Sequence, residues 1–409
     1  MLPWLAATTT TFNLLFRPFP VLPIMRVTVF PLLVALLPYA QAAPGYCQTN
    51  KITADSVTTS PNVPINTSPL LPFQSPALTT MNATAWEYWY FDGVSASTKA
   101  GVTIVFFRDP SLAPAGLGPL RVSVDAVWEN GTKFTSMVFA DESVLETCGD
   151  VTKGRWTGPQ SNSSFEFRQG NAYAKIELSG TSITGDPVSG SFTLRSFSKP
   201  RYPGGENYPN RKASVQMAPL LWWNEGIPAG DVETDVVLKG TPLKFKGIGG
   251  TDRNFAPYIW DYIAQEWWWI RTVTGPYTWV YWKFISAIDR KTYSYAYLEQ
   301  NGVPIFKSSV ECSASVKTGC AVFTRTTDGT VKGSYQDQST GFEVEFKARG
   351  KSWKFDVEHT NVVFEPTAGS NNEYTRFVNG AKGGEVKGKQ FKGLSKSEQN
   401  RIEQNPPIR

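Results

Sequence analysis

One histidine in 409 residues, His359, excludes most of the catalytic apparatus a chain of this length could carry. A zinc or iron centre needs several imidazoles or thiolates in close array, and the four cysteines (Cys47, Cys148, Cys312, Cys320) are too few and too scattered to supply them. A serine hydrolase would require His359 as its base, yet no G-x-S-x-G elbow accompanies it, so the imidazole is expected to be structural. Nucleotide chemistry is equally short of material. Gly383 to Gln390 imitates a phosphate loop but ends in Gln where Ser or Thr would hold magnesium, and no dinucleotide glycine signature occurs. No metal and no cofactor are expected. Formal net charge is only +5, with cations gathered in the tail, so nucleic acid is not an expected partner.

Long apolar runs are also missing. Val27 to Leu37 spans eleven residues between Pro-containing flanks, too short for a bilayer span, and no later segment is more apolar. With Met25-Arg26 before it and Ala40-Gln41-Ala42 after it, this run reads as the core of a signal peptide over residues 1–42. The secretory pathway is the expected location. Oxidising conditions there would allow two disulfides, Cys312 with nearby Cys320 and Cys47 with Cys148. Asn66, Asn82, Asn130 and Asn162 each open a glycosylation sequon.

What the chain has in abundance is β-forming and aromatic residues. After an extended Thr/Ser/Pro-rich arm over 43–78, runs such as 101–108, 120–128, 133–139, 266–274, 277–287, 341–348 and 351–364 are β-branched or aromatic. Gly, Asn and Asp punctuate them, Asn130-Gly131 being a hairpin signal. No helix beyond two turns is expected before the tail. An all-β protein of two sandwich or barrel domains follows, divided at about 79–215 and 216–380, with a basic, frayed tail over 381–409 that holds at most one short helix.

Six tryptophans fall between residues 258 and 297. Alternation along a strand puts Trp267, Trp269 and Arg271 on one face and Glu266, Trp268 and Ile270 on the other, and likewise groups Tyr277, Trp279, Tyr281 and Lys283. In Trp86 to Asp92, Trp86, Tyr88 and Tyr90 share a face while Glu87 sits among aromatics, where desolvation would raise its pKa. Indoles mixed with single charges suit an apolar cavity with a few placed polar groups better than a plain core. Gly247 to Phe255 reads as a glycine turn aiming Asp252 and Arg253, and Trp222 to Glu225 adds indoles and an amide.

These three blocks, W-E-Y-W-Y-F-D at 86–92, G-x-G-G-x-D-R-N at 247–254 and W-x-W-x-R with G-x-Y-T over 267–278, resemble the hydroxyneurosporene synthase-like superfamily. They also resemble its fungal branch of lipocalin-like Diels-Alderases. The resemblance implies an amino-terminal β-sandwich and a carboxy-terminal lipocalin-like β-barrel around a small hydrophobic polyketide or polyketide-terpenoid substrate. It further implies cofactor-independent [4+2] cycloaddition, normal or hetero-Diels-Alder, by positioning and hydrogen bonding to a conjugated carbonyl. Thr251 stands where hydratase members carry histidine, which argues against water addition. On this reading Glu87, Tyr88, Arg271 and Lys283 are candidate donors, with Asp252 and Arg253 orienting them. Trp86, Tyr90, Trp223, Asn224, Trp267, Trp269, Trp279 and Tyr281 would line the pocket. Two other readings stand beside it: a carrier of a hydrophobic metabolite, and a secreted glycan-binding or glycan-cleaving protein.

Overall fold

Turn chemistry and β-branched runs cooperate to build antiparallel ladders. Gly131, at φ 84°, closes the Asn130-Gly131 turn between Leu120–Val127 and Lys133–Phe139, and Asn301-Gly302, at φ 53° and 75°, does the same between Thr292–Gln300 and Val303–Ser308. The computed structural model describes residues 47–333, 338–366 and 373–402, so the expected signal segment lies outside the described residues. Among these the chain forms one thirteen-stranded and one nine-stranded sheet.

The larger sheet runs from Cys47–Thr53 through the strands of residues 142–196 to Leu221–Leu238 and Thr241–Ala256, then Trp86–Ser95 and on to Lys133–Phe139. It folds over on itself. Its two halves enclose one core in which Trp89, Phe91, Phe106, Trp156, Phe165 and Ile176 interlock, and Ile183 N, in the connection between Tyr173–Thr181 and Pro187–Ser196, donates to Met137 O of the end strand at 2.8 Å. The disulfide Cys47–Cys148 ties the first strand to Glu142–Cys148, as the spacing predicts.

The smaller sheet curls into a nearly closed barrel. Its terminal strands, Val303–Ser308 and Cys320–Thr326, are joined by Cys312 N to Ala321 O (2.9 Å), Ala321 N to Val310 O (3.0 Å) and the disulfide Cys312–Cys320. Aromatic side chains fill the interior: Trp268, Trp279, Tyr281, Phe342, Phe346 and Phe355 form one core. A third cluster joins the sheets, with Trp86, Tyr90, Val105 and Trp223 of the larger sheet against Trp267, Trp269, Trp282 and Tyr297 of the smaller.

Three expectations need correction. Residues 381–402 do not form a frayed tail: Phe391–Arg401 is a central barrel strand, paired with Ala264–Thr274 on one side and Thr375–Glu385 on the other, and Ser395 to Asn400 are buried. Its buried side chains are polar, some of them bonded to neighbours as in Thr272 Oγ1 to Ser395 Oγ at 2.8 Å, so no apolar alternation announced it. Gly247 to Phe255 is not a turn but lies within Thr241–Ala256, and this strand and Leu221–Leu238 belong to the first sheet rather than to a second domain starting at 216. At Gly250 a β-carbon would collide with the Arg271 guanidinium, so glycine here admits a cation. Finally, Asn82 is buried and its Nδ2 donates to Ser60 O (3.1 Å) and Pro61 O (3.2 Å), which leaves no room for a glycan; Asn66, Asn130 and Asn162 are exposed.

Glu87 also takes a different role. Its carboxylate points into the larger sheet's own side, accepts from Ala77 N (2.8 Å) and Leu78 N (3.3 Å), and pairs with Arg108 (3.1 Å) and Arg253. Arg253 in turn donates to Phe73 O at 3.1 Å. The trio is wholly buried and clamps the incoming arm to the sheet. Glu87→Ala would strand two buried guanidiniums, so chemical denaturation should show a loss of about 3–5 kcal/mol. A variant as stable as wild type would show that the clamp is dispensable.

His359 is structural as expected, stacked on Phe377 at 3.6 Å between ring centroids and edge-on to Phe342. Burial pushes its pKa down to about 3. Because the unfolded imidazole binds a proton near 6.5 and the folded one does not, its contribution to stability is present above about 6.5 and is lost as pH falls toward 3. His359→Phe should therefore flatten the stability-versus-pH slope between about pH 6 and 4, by up to roughly one proton per molecule. Equal slopes in thermal melts of the two proteins would contradict this.

Candidate active site

Strand alternation decides which indoles meet at the seam. Along Ala264–Thr274, Trp267 and Trp269 face the larger sheet while Trp268 and Ile270 face the barrel interior. Along Tyr277–Ser286, Val280, Trp282 and Phe284 face the seam and Trp279 and Tyr281 the interior. On the opposing Trp86–Ser95 strand, Trp86, Tyr88 and Tyr90 point back at them. Between the sheets lies a narrow cleft, with about 40 Å³ of free space, walled by Tyr88, Tyr90, Trp260, Trp267, Trp269, Trp282 and Tyr374, with Asp252, Asn254, Arg376 and Glu398 as its polar groups. Its composition, aromatic with a few convergent polar side chains, is that of a small-molecule site.

At its aromatic end, Trp260 packs between Trp86 and Trp267, each at 4.8 Å between centroids, and Trp86 stacks on Tyr88 at 4.9 Å. Trp86 Nε1 donates to Tyr258 O at 2.7 Å and so anchors the short helix Trp260–Ile263 beside the cleft. The polar end is a closed network. Glu398 accepts from Tyr90 (2.7 Å), Tyr374 (2.8 Å) and Arg376 (2.9 Å), and Arg376 also pairs with Asp125. Burial raises the phenols of Tyr88, Tyr90 and Tyr374 well above their usual range, so all three remain hydrogen-bond donors.

Beneath the cleft, Arg271 faces three carboxylates: Asp92 in direct contact, Glu225 at 3.5 Å and Asp252 at 3.7 Å. Its guanidinium also lies over the Trp269 ring at 4.7 Å. Counted with the polar end, the acids Asp92, Asp125, Glu225, Asp252 and Glu398 face the bases Arg271, Arg376 and Lys396, all buried. Full ionisation would leave two uncompensated negative charges in a dry interior, so protons are retained. Burial lifts Glu225 to about 7 against the pull of Arg271 and Tyr297. Burial, reinforced by Glu225, Glu398 and Asp92, lifts Asp252 well above the ordinary carboxyl range despite Arg271. The same burial lowers the Lys396 ammonium to about 8. Burial thus pushes Asp252 toward its protonated form on the wall of an indole-lined cleft.

Of the residues singled out from sequence, Tyr88, Tyr90, Asp252, Trp267 and Trp269 line the cleft. Trp86 and Trp223 buttress it, Trp223 meeting Trp282 edge-on at 4.9 Å, and Asn224 is buried in the strand behind. Arg271 lies below as the counter-ion. Glu87 and Arg253 belong to the arm clamp, because they sit on the opposite face of their strands. Trp279, Tyr281 and Lys283 do share a face, but it looks into the barrel: Lys283 pairs with Glu311 at 3.0 Å, and Tyr281 donates to Glu311 at 2.7 Å. Sequence reasoning missed Asn254, Trp260, Trp282, Tyr374, Arg376 and Glu398. Trp260 and Trp282 were visible in the indole cluster and Asn254 in the glycine block. The other three lie in or just before strands whose polar character concealed them.

Comparison with known proteins agrees with this geometry. A family model described as Diels-Alderase-like matches residues 44–403. The chain is 32% identical to the Diels-Alderase ffsF of Aspergillus flavipes over 367 residues, covering 88% of each protein. It is also 32% identical to the hexane cyclase xenF of Xenoacremonium sinensis, covering 86% of this chain and 81% of that one. The crystal structure of CghA with Sch210972 shares the fold, with a TM-score of 0.72 at 21% identity over 88% of this chain and all of that one. The two-sheet architecture, the cleft at its seam and the matched length together place the chain in the Diels-Alderase-like family.

Proposed function

We propose that this protein catalyses a [4+2] cycloaddition of a small hydrophobic polyketide or polyketide-terpenoid substrate in fungal secondary metabolism, by normal or hetero-Diels-Alder closure. The observation that carries the reading is the placement of Asp252, a buried carboxyl pushed toward its protonated form, on a cleft otherwise walled by rigid rings. A cycloaddition exchanges two π bonds for two σ bonds and releases nothing, so the protein has only to hold diene and dienophile in register. Such alignment is worth roughly 7–11 kcal/mol at most. Trp260, Trp267, Trp269 and Trp282 supply planar walls that fold the substrate without hydrating it. A hydrogen bond from Asp252 or Tyr88 to a carbonyl conjugated with the reacting alkene draws electron density from it, and strengthens as charge develops in the transition state.

The carrier reading has less support, since the barrel interior is occupied by side chains. The two disulfides support passage through the secretory pathway, which we propose as the location.

The test uses purified protein and the acyclic precursor accumulated by a strain lacking the gene, with product ratios followed by chromatography. Asp252→Leu should lower kcat by about 10²-fold, whereas Asp252→Asn, still a donor, should stay within about tenfold of wild type. The protonated carboxyl is the active form, so wild-type rate falls as pH rises through the raised Asp252 pKa, and the Asn variant lacks that alkaline limb. No acceleration by wild-type protein over buffer would refute the proposal.

A further inference from the structure

Asp252 accounts for one donor in the cleft, but nitrogen donors are left over. Asn254 stands two residues along the same strand face, lines the cleft, and is 4% exposed. No acceptor among the described residues reaches its Nδ2. Across the seam, Trp282 of the barrel sheet also lines the cleft at 3% exposure, and its Nε1 is likewise without an acceptor. The two side chains are close by construction. Asn254 is the cross-strand partner of Trp223, and the Trp223 ring meets Trp282 edge-on. Trp269, the cross-strand partner of Trp282, has a third unpartnered Nε1 on the same wall.

Buried N–H groups without acceptors destabilise a fold, and native interiors rarely retain them. Several around one cavity, while the acceptor Glu398 is taken up by Tyr90, Tyr374 and Arg376, make a surface complementary to a ligand that brings oxygen acceptors of its own. We propose that Asn254 Nδ2 and Trp282 Nε1 form a two-sided donor pair for the substrate's carbonyl head group, one donor from each sheet. The inference rests on the cycloaddition reading and extends it. A head group gripped from both sheets bridges the seam and fixes which way the hydrocarbon chain folds against the indoles, so the pair governs stereochemistry as well as rate. Both residues touch substrate, and their effect falls on the transition state, where the carbonyl oxygen gains charge.

Asn254→Leu removes one N–H group while keeping the branched shape of the side chain, and Trp282→Phe removes the other along with part of the indole. With the accumulated precursor as probe, each variant should lose about 10- to 100-fold in kcat with KM changed less than about threefold, and should erode the product diastereomer ratio. Because the Asn254 donor is unpaired without substrate, the thermal midpoint of Asn254→Leu should equal or exceed that of wild type. The infrared carbonyl stretch of bound product should lie lower in wild type than in Asn254→Leu. Variants that keep wild-type kcat and product ratio, or a carbonyl stretch identical in the two proteins, would overturn the donor pair. Failure of wild-type protein to cyclise the precursor would instead overturn the cycloaddition reading itself.

Discussion

A single guanidinium, that of Arg271, faces Asp92, Glu225 and Asp252 at the seam between the two sheets. The carboxylates come from three strands of the larger sheet and the cation from the barrel, so the contact joins the two halves electrostatically where the aromatic cluster joins them by packing. Gly250 makes the approach possible, since any larger residue would occupy the guanidinium's place. One positive charge among three acids in a dry setting has a second consequence. The acids cannot all ionise, and burial pushes the one with an open face, Asp252, toward its protonated form at the edge of the cleft. Architecture and chemistry therefore share a cause.

The remainder of the site follows from how aromatic side chains are divided. Strands buried on both faces need apolar residues at nearly every position, and the run Glu266 to Arg271 meets that need by sending alternate indoles to the barrel core and to the seam. The barrel, filled by its own rings, acts as a rigid wall rather than a container. A rigid wall suits a reaction whose barrier lies in alignment, because side chains that do not relax around the extended substrate hold the compact one at no further entropic cost.

How far the residues disclosed this depends on what each signal encodes. Alternation sorted faces correctly: Trp267 with Trp269, Trp86 with Tyr88 and Tyr90, and Trp279 with Tyr281 and Lys283. It could not say which face meets the other sheet, so the last group was assigned to the pocket although it lines the barrel. Glu87 was misjudged for a related reason: an acid among aromatics is equally consistent with a substrate donor and with a buried clamp, and only the position of Arg108 and Arg253 distinguishes them. The strands carrying Arg376 and Glu398 were hidden because buried Ser, Thr, Asn, Gln and Lys interrupt or replace their apolar residues. The glycines of 247–250 look like a turn in isolation and serve as clearance within a strand. The disulfides, by contrast, were legible from spacing alone.

The central claim is that the carboxyl of Asp252 is protonated in the folded protein at neutral pH. Infrared difference spectroscopy of wild type against Asp252→Asn reads this directly, without substrate. The account predicts that the substitution removes a band of a protonated carboxylic acid at pH 7. Loss of a carboxylate band alone would contradict it.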